Sequence, residues 1–385
     1  MMTSPTSLWG SIDLEAGQEE ADLSQVVVRE EELLSWAVSS LVAAGAEETP
    51  ARIMSEILLA ADRRGHYSHG FNRLDIYYND ILSGACKPNL PPVILNETAA
   101  AGFVDGRDGL GGVVAQFSME LAIKKAKEVG VGWVTARNSN HFGIAGHYSM
   151  MAQREGLLGF SFTNGSPWVT ATRSAGARVM STNPISFTAP GEAGDGLVLD
   201  MATATVAVGK LEVAAVRGEK IPDCWAVDGA GAVTSDPRTA MREGAGLALG
   251  GSELTGGYKG YGLALMVETL CGVMAGGTWG PNIRQWGQSS SPGGLSHSFL
   301  ALDPAVCGQT FSQDLQELLQ TFRHLSPADP SLPVLVPGDP ERSSEARARQ
   351  AGGIIYSGAQ YSRFLQFSRK FEVPAPGCSP LRNTD

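Results

Sequence analysis

The stretch Ala101-Gly102-Phe103-Val104-Asp105-Gly106-Arg107-Asp108-Gly109-Leu110-Gly111-Gly112 decides the fold class. Its first five residues read as a short strand, and the glycine-rich remainder as a loop, because Gly and Asp accept the tight backbone turns that strand-forming residues resist. A helical pattern follows from about Val114 to Val129, then a strand at Gly132–Thr135 and the polar loop Arg137-Asn138-Ser139-Asn140-His141-Phe142-Gly143. A helix at Ile144–Arg154, closed by Gly156, and a strand at Leu158–Thr163 complete the run. Strands alternating with helices predict an α/β architecture. Further strands are expected at Ile185–Ala189, Leu197–Leu199 and Phe299–Leu302, with a long helix over Gly262–Met274 and a Gly/Ser-rich loop from Trp279 to Gly294. Helical pattern resumes at Phe311–His324, and Ser343–Gly352 reads as the last helix before a Pro-rich, loose end.

Upstream the composition changes at Lys87-Pro88-Asn89-Leu90-Pro91-Pro92, and the first third is mostly helical. An amphipathic pattern spans Val28–Ala44, and a second helix opens at Thr49-Pro50, as N-cap and first helical residue, and runs to Arg64 with Gly65 closing it. A third is expected over Phe71–Leu82. Between the last two lies Arg63-Arg64-Gly65-His66-Tyr67-Ser68-His69-Gly70-Phe71-Asn72-Arg73, with two histidines, a serine and three arginines. With Ser68 capping the third helix, His69 lies at a helix start and Arg73 one turn further on the same face, an arrangement suited to a small carboxylate. Asp62, His66 and His69 fall at i, i+4 and i+7, a spacing that on a continuous helix makes a metal face and a metal-dependent hydrolase. Gly65 interrupts that helix, which makes the metal reading the poorer one.

The formal net charge of -11 over 385 residues disfavours nucleic acid and anionic membrane surfaces as partners. No run approaches a membrane span, and the five scattered cysteines form no Cys-x-x-Cys, so a reducing, cytoplasmic setting is expected. Gly-x-Gly-x-x-Gly, the P-loop pattern and Gly-x-Ser-x-Gly are all missing, which disfavours a Rossmann dehydrogenase, a P-loop enzyme and an α/β-hydrolase. Polar residues at element junctions remain as candidates: His141 in a strand-to-helix loop, Asp200 after Leu197–Leu199, Lys210 after Gly209, and Lys259 in Gly256-Gly257-Tyr258-Lys259-Gly260-Tyr261-Gly262. His66, His147, His297, Tyr258 and Tyr261 also have plain packing explanations.

Assembled, the chain resembles the malate/L-lactate dehydrogenase type 2 family, the non-Rossmann group that includes ureidoglycolate dehydrogenase, sulfolactate dehydrogenase and diketogulonate reductase. The resemblance covers about Val28 to Phe371. It rests on Ser68-His69-Gly70-x-x-Arg73-Leu74, Asp105-Gly106, His141-Phe142-Gly143 with Tyr148, Thr182-Asn183-Pro184, Asp200-Met201-Ala202-Thr203, Gly209-Lys210, Ile221-Pro222, Trp225–Asp228, Thr234 with Asp236-Pro237, and Tyr258–Leu263. It implies an α/β (α+β), sulfolactate-dehydrogenase-like fold, with a mixed-sheet cofactor domain lacking Rossmann topology and a helical domain from both chain ends. The expected division is a flexible tail at 1–23, helical residues 24–100, an NAD(P)-binding α/β domain at 101–303, helical residues 304–372 and a flexible tail at 373–385. The implied activity is NAD- or NADP-dependent interconversion of a small 2-hydroxy acid, malate-like or lactate-like, and its 2-oxo acid, by a homodimer. Carried over residue by residue, His69 and His141 share the proton-transfer role, Arg73 binds the substrate carboxylate and Ser68 hydrogen-bonds beside it. Gly165, Ser166, Asp200, Met201, Ala202, Thr203, Thr205 and Lys259 match cofactor contacts, and His297 falls near the last cofactor loop. A lapsed homologue that only binds a nucleotide is the other alternative. Departures are the Arg173–Gly176 turn, Ser296 before His297, a longer 244–257 segment and the extra residues 1–23.

Overall fold

Hydrophobic alternation in short β-branched runs and 3.6-residue periodicity between them set the element order. The computed structural model describes residues 25–381, so the tail expected at 1–23 lies outside the described residues. Strand β1 (Gln25–Val28) leads to helices α1 (Glu30–Ala43) and α2 (Glu48–Arg63), two short 3-10 turns (Tyr67–His69 and Phe71–Arg73) and α3 (Leu74–Leu82). Then come β2 (Val93–Glu97), β3 (Ala101–Asp105), α4 (Gly111–Val129), β4 (Val131–Ser139), α5 (Ala145–Arg154), β5 (Leu158–Thr163), β6 (Ile185–Pro190) and β7 (Gly196–Met201). A smaller lobe follows: α6 (Val208–Arg217), β8 (Ala226–Val227), α7 (Pro237–Glu243), β9 (Ala245–Gly246) and α8 (Gly257–Glu268), which runs on as a π-helical turn over Thr269–Val273. Strand β10 (Leu295–Leu302), α9 (Phe311–Arg323), α10 (Asp339–Ala351), β11 (Ile354–Ser357), α11 (Gly358–Phe371) and β12 (Ser379–Pro380) complete it.

The main sheet has seven strands in the order β2-β3-β4-β10-β5-β6-β7. Only β3 and β4 pair in parallel, joined through α4; the other neighbours are antiparallel. This mixed order is not the doubly wound pattern, in agreement with the missing dinucleotide fingerprint. One apolar core runs from Trp36, Leu58 and Phe71 in the helical layer to Val104, Val134 and Phe299 in the sheet. Each such side chain contributes roughly 1.5–3 kcal/mol by leaving water. The α6–α7 lobe has its own core around Trp168, Leu211, Ile221 and Met241. At the chain ends β1 pairs with both β11 and β12, so the loose end expected from residue 373 is instead tied as far as Leu381.

Several elements differ from expectation. Helix α2 starts at Glu48 with Glu47 in the capping position, so Thr49 is not the N-cap; Pro50 is tolerated in the first turn, where N–H groups lack helical partners anyway. The helix expected over Phe71–Leu82 keeps only Leu74–Leu82, because the buried Asp62 carboxylate draws in the Phe71 N–H at 3.2 Å and Ser68 makes no cap. Gly70 allows this: a Cβ there would lie 1.7 Å from Asp62 Oδ1. Residues 343–352 lie within or just after α10, which is not the last helix. Helix α11 follows, opened by a capping box of Ser357 and Gln360, a sequence signal in plain view.

Candidate active site

The carboxyl ends of β4 and β5, the start of β10 and the turns after α2 border one cleft that is open to solvent. The loop leaving β4 is fixed from both sides. Asn140 donates from Nδ2 to the carbonyls of Asp108 and Gly109 at 3.0 and 2.9 Å, and accepts from Gly293 N–H at 3.2 Å. Gly111 backs it, because a Cβ there would lie 2.2 Å from the carbonyl oxygens of Asn140 and His141. His141 thereby enters the cleft in a set position. From the other side the Tyr67–His69 turn brings His69 to it, with ring centroids 5.7 Å apart and planes 24° from parallel. Trp286, from the Gly/Ser-rich loop, stacks on His141 at 4.2 Å, and the Arg73 guanidinium lies 5.1 Å from the Trp286 ring centre.

The charges in the cleft are unequal. Arg284 is neutralised by Asp80 at 2.6 Å, whose other oxygen takes the Ser289 hydroxyl. Arg73 donates from Nε to the Ser68 carbonyl at 2.9 Å and, among the described residues, has no carboxylate partner. A guanidinium so placed is a binding group for an anion. Burial, and next the charge of Arg73, push the His69 pKa down to about 4. Burial likewise pushes His141 well below the ordinary range, with smaller effects from His69 and Arg73. Both rings are neutral at pH 7 until a ligand changes that balance.

The cleft's other wall is tied to a buried carboxylate. Glu268 takes hydrogen bonds from Asn164 (3.0 Å), Asn183 (2.9 Å) and Gly280 N–H (3.0 Å), and Asn164 Oδ1 takes Ser296 N–H. One side chain at the end of α8 thus fixes three loops that meet at the cleft, and a buried carboxyl group is tolerated there because its oxygens are hydrogen-bonded.

Residues 28–364 match the family model described as malate/L-lactate dehydrogenase. The chain belongs to the malate/L-lactate dehydrogenase family. Enzymes of this family are NAD(P)-dependent dehydrogenases acting on hydroxy acids. A malate dehydrogenase from Pyrococcus abyssi is 42% identical over 283 residues, covering 73% of this chain and 77% of the relative. An NAD+-dependent ureidoglycolate dehydrogenase from Escherichia coli O157:H7 is 32% identical over 319 residues, covering 82% and 88%. The solved malate dehydrogenase of Pyrococcus horikoshii superposes with a TM-score of 0.82 at 34% identity, covering 93% of this chain and 99% of that one. The mixed α/β fold is therefore that of the family.

Of the residues that the family pattern singles out, Ser68, His69, Arg73, His141, Gly165 and Ser166 line the cleft. The other seven are not among its lining residues. His297 is fully buried in β10 beneath the cleft, bonded to Thr163 Oγ1 and Ser139 Oγ at 2.7 Å each and stacked on Phe142, so it supports the His141 loop from below. Asp200 is a β7 residue whose carboxylate accepts the Gly146 N–H in the first turn of α5. Its neighbour Met201 ends the same strand, and Ala202 packs against the α6–α7 core. Thr203 and Thr205 bond to the backbone of Thr182, Asn183 and Ala248. Lys259 is exposed beside Tyr258 on α8. The Asp62/His66/His69 metal face does not assemble. Asp62 takes the Tyr356 hydroxyl at 2.6 Å, His66 faces Glu341 at 3.5 Å, and His69 points to the cleft. Among the described residues no three His, Cys, Asp or Glu side chains could hold a metal ion. Tyr77, Asn164, Arg284 and Trp286 were not singled out by sequence, because each becomes notable only through a neighbour distant in the chain.

Proposed function

We propose that this enzyme interconverts a small 2-hydroxy acid, malate-like or lactate-like, and its 2-oxo acid, with NAD or NADP as hydride carrier. The observation that carries this reading is the unpaired Arg73 guanidinium beside two neutral imidazoles in one cleft. Arg73 would hold the carboxylate with its planar fork, and a histidine would move the proton at the C2 oxygen. A carboxylate on Arg73 offsets the charge that helps hold His69 down, so substrate binding itself brings His69 toward its working range.

The cleft residues fit the cofactor. Ala207, Val208 and Gly209 line it at the start of α6, where no side chain caps the helix and the amides are free to meet an anion. A Cβ on Gly209 would have only Glu212 and Arg73 within 4 Å, so the backbone can be approached closely. The nicotinamide supplies or takes the hydride when bound; Gly165, Ser166 and the α6 start would hold the cofactor, and the cleft walls orient it against C2. The Asp200–Thr205 segment would act, on this reading, from behind the lining loops, through the bonds of Thr203 to Thr182 and Asn183, and Lys259 would meet the cofactor from the exposed side of α8.

A homodimer is part of the same proposal. Helix α8 and its π-helical extension expose Tyr258, Leu263, Leu265, Met266, Val273 and Met274, an apolar row suited to a second copy of this chain. Among the described residues no helix is long and apolar enough to cross a membrane, and no disulfide is formed. A cytoplasmic location is the accompanying proposal. The test is a matrix of NADH and NADPH against 2-oxo acids, read by absorbance of the reduced nicotinamide, with sedimentation on the same sample. No oxidation with any pair would overturn the reading.

A further inference from the structure

The two histidines of the cleft are held in chemically different ways. His141 Nδ1 faces two donors: the Gly143 backbone N–H at 3.2 Å and the Tyr77 hydroxyl at 2.6 Å. A backbone N–H can only donate, so Nδ1 must present its lone pair, and a neutral ring then carries its proton on Nε2. Turning the ring over would set a C–H against both donors. Protonating Nδ1 would set two N–H groups against each other. Tyr77 is buried in α3, and the Gly143 N–H also reaches its hydroxyl oxygen, which leaves the hydroxyl hydrogen to be donated to Nδ1. The ring's plane is further fixed by stacking on Trp286 at 4.2 Å and 16°.

His69 has none of these restraints. Its Nδ1 meets only the Ser68 hydroxyl, at 2.9 Å, which can donate to a bare nitrogen or accept from a protonated one by rotating. His69 can therefore gain and lose a proton without breaking a bond, whereas His141 cannot. Both histidines line the same cleft with ring centres 5.7 Å apart, so both border the space that a substrate's C2 oxygen would occupy.

We propose that His141 is a fixed neutral N–H donor to the substrate's C2 oxygen, that Tyr77 is the positioning residue holding its tautomer, and that His69 alone carries the transferred proton. This rests on the proposed 2-hydroxy-acid reaction. In the reducing direction C2 gains a hydride from the reduced nicotinamide, and the carbonyl π pair moves onto oxygen. That oxygen forms an O–H bond with the proton released from Nε2 of protonated His69. His141 keeps its Nε2 proton throughout and stabilises the developing charge by its hydrogen bond. Oxidation is the reverse, with neutral His69 accepting the hydroxyl proton.

The test is long-range 1H–15N correlation on full-length protein labelled with 15N-histidine, the His141 signals being assigned by their loss in His141→Gln. The expected result is an unprotonated Nδ1 and protonated Nε2 on His141, unchanged between about pH 6 and pH 8. In Tyr77→Phe the Nδ1 shift should move, kcat for a 2-oxo acid should fall roughly tenfold, as for one lost hydrogen bond, and KM should change little. A proton on Nδ1, a mixture of tautomers, or an imidazolium His141 at neutral pH would overturn the proposal. An Nδ1 shift and kcat both unmoved in Tyr77→Phe would overturn the role given to Tyr77. The wild-type spectrum decides the tautomer whether or not the variant folds. It does so without turnover, so a locked His141 in a protein that reduces no 2-oxo acid would overturn the reaction and the catalytic role while leaving the tautomer in place.

Discussion

Replacing Asp62 by Asn is expected to stabilise the protein, and to do so more strongly as pH rises. The Asp62 side chain is 1% exposed, and no ion pair among the described residues reaches it. Its Oδ2 accepts from the Tyr356 hydroxyl and the Phe71 N–H, while Oδ1 is buried with no partner. Burial outweighs these two bonds and raises the pKa from 3.8 to about 7. The sign follows from proton linkage. Above pH 3.8 the unfolded chain gives up this proton while the folded chain keeps it until about pH 7, so the stability present below 3.8 is lost as pH rises through that window. Roughly three pH units at ~1.4 kcal/mol each amount to ~4 kcal/mol lost by pH 8, of which ~2 kcal/mol is already lost at pH 5. Asparagine cannot ionise and keeps an oxygen acceptor for Tyr356 and Phe71. Asp62→Asn should therefore gain ~2 kcal/mol at pH 5 and ~4 kcal/mol at pH 8, measured by urea unfolding with unchanged m-values. A gain that is flat or shrinks with pH would refute this reasoning. Turnover should survive in the same variant, because the carboxylate holds the His69–Phe71 turn and no metal.

Arg73→Ala should lower kcat/KM for any 2-oxo acid roughly 10- to 100-fold, the cost of a lost charge-assisted pair of ~1.5–3 kcal/mol, while Arg73→Lys recovers only part because an ammonium lacks the planar fork. Initial-rate kinetics on both variants checks it. Burial pushes His297 down to about 3, so the unfolded chain takes up this proton below pH 6.5 while the folded one does not, and stability falls toward acid. The contribution is ~1.4 kcal/mol per pH unit between about pH 6 and pH 4, and His297→Asn should show a shallower acid slope in thermal melts at matched ionic strength. Arg323→Ala should cost about 1 kcal/mol in denaturant unfolding, because Arg323 bridges Asp195 before β7 to Asp339 at the start of α10 at a partly exposed site, and Arg342 still faces both carboxylates after its removal.

The sequence by itself determined which elements exist wherever one residue type dictates a local conformation. Strand β3 at Ala101–Asp105, helix α5 and strand β5 follow from periodicity, and Gly65 closes α2 at a positive φ because only glycine adopts it without strain. It also singled out His69, Arg73 and His141, since histidines and arginines in short polar loops between apolar elements are rarely needed for packing. Local pattern was misleading where a distant group intervened: a helix expected from Phe71 begins at Leu74 because Asp62 takes the Phe71 N–H.

Only the tertiary structure decided how those residues relate. That His69 and His141 share a cleft depends on α2, α4 and β4 packing into one core, and that His297 lies beneath it depends on β10 inserting between β4 and β5. The tautomer of His141 is set by Tyr77, 64 positions away in the chain, and the opposing loops are set by Glu268, 104 positions from Asn164. Hydrogen bonds and ion pairs act over a few ångströms of space regardless of sequence separation, so no local pattern carries them. The residue types that make proton transfer and carboxylate binding feasible are written in the chain; which proton sits on which nitrogen is a property of the fold.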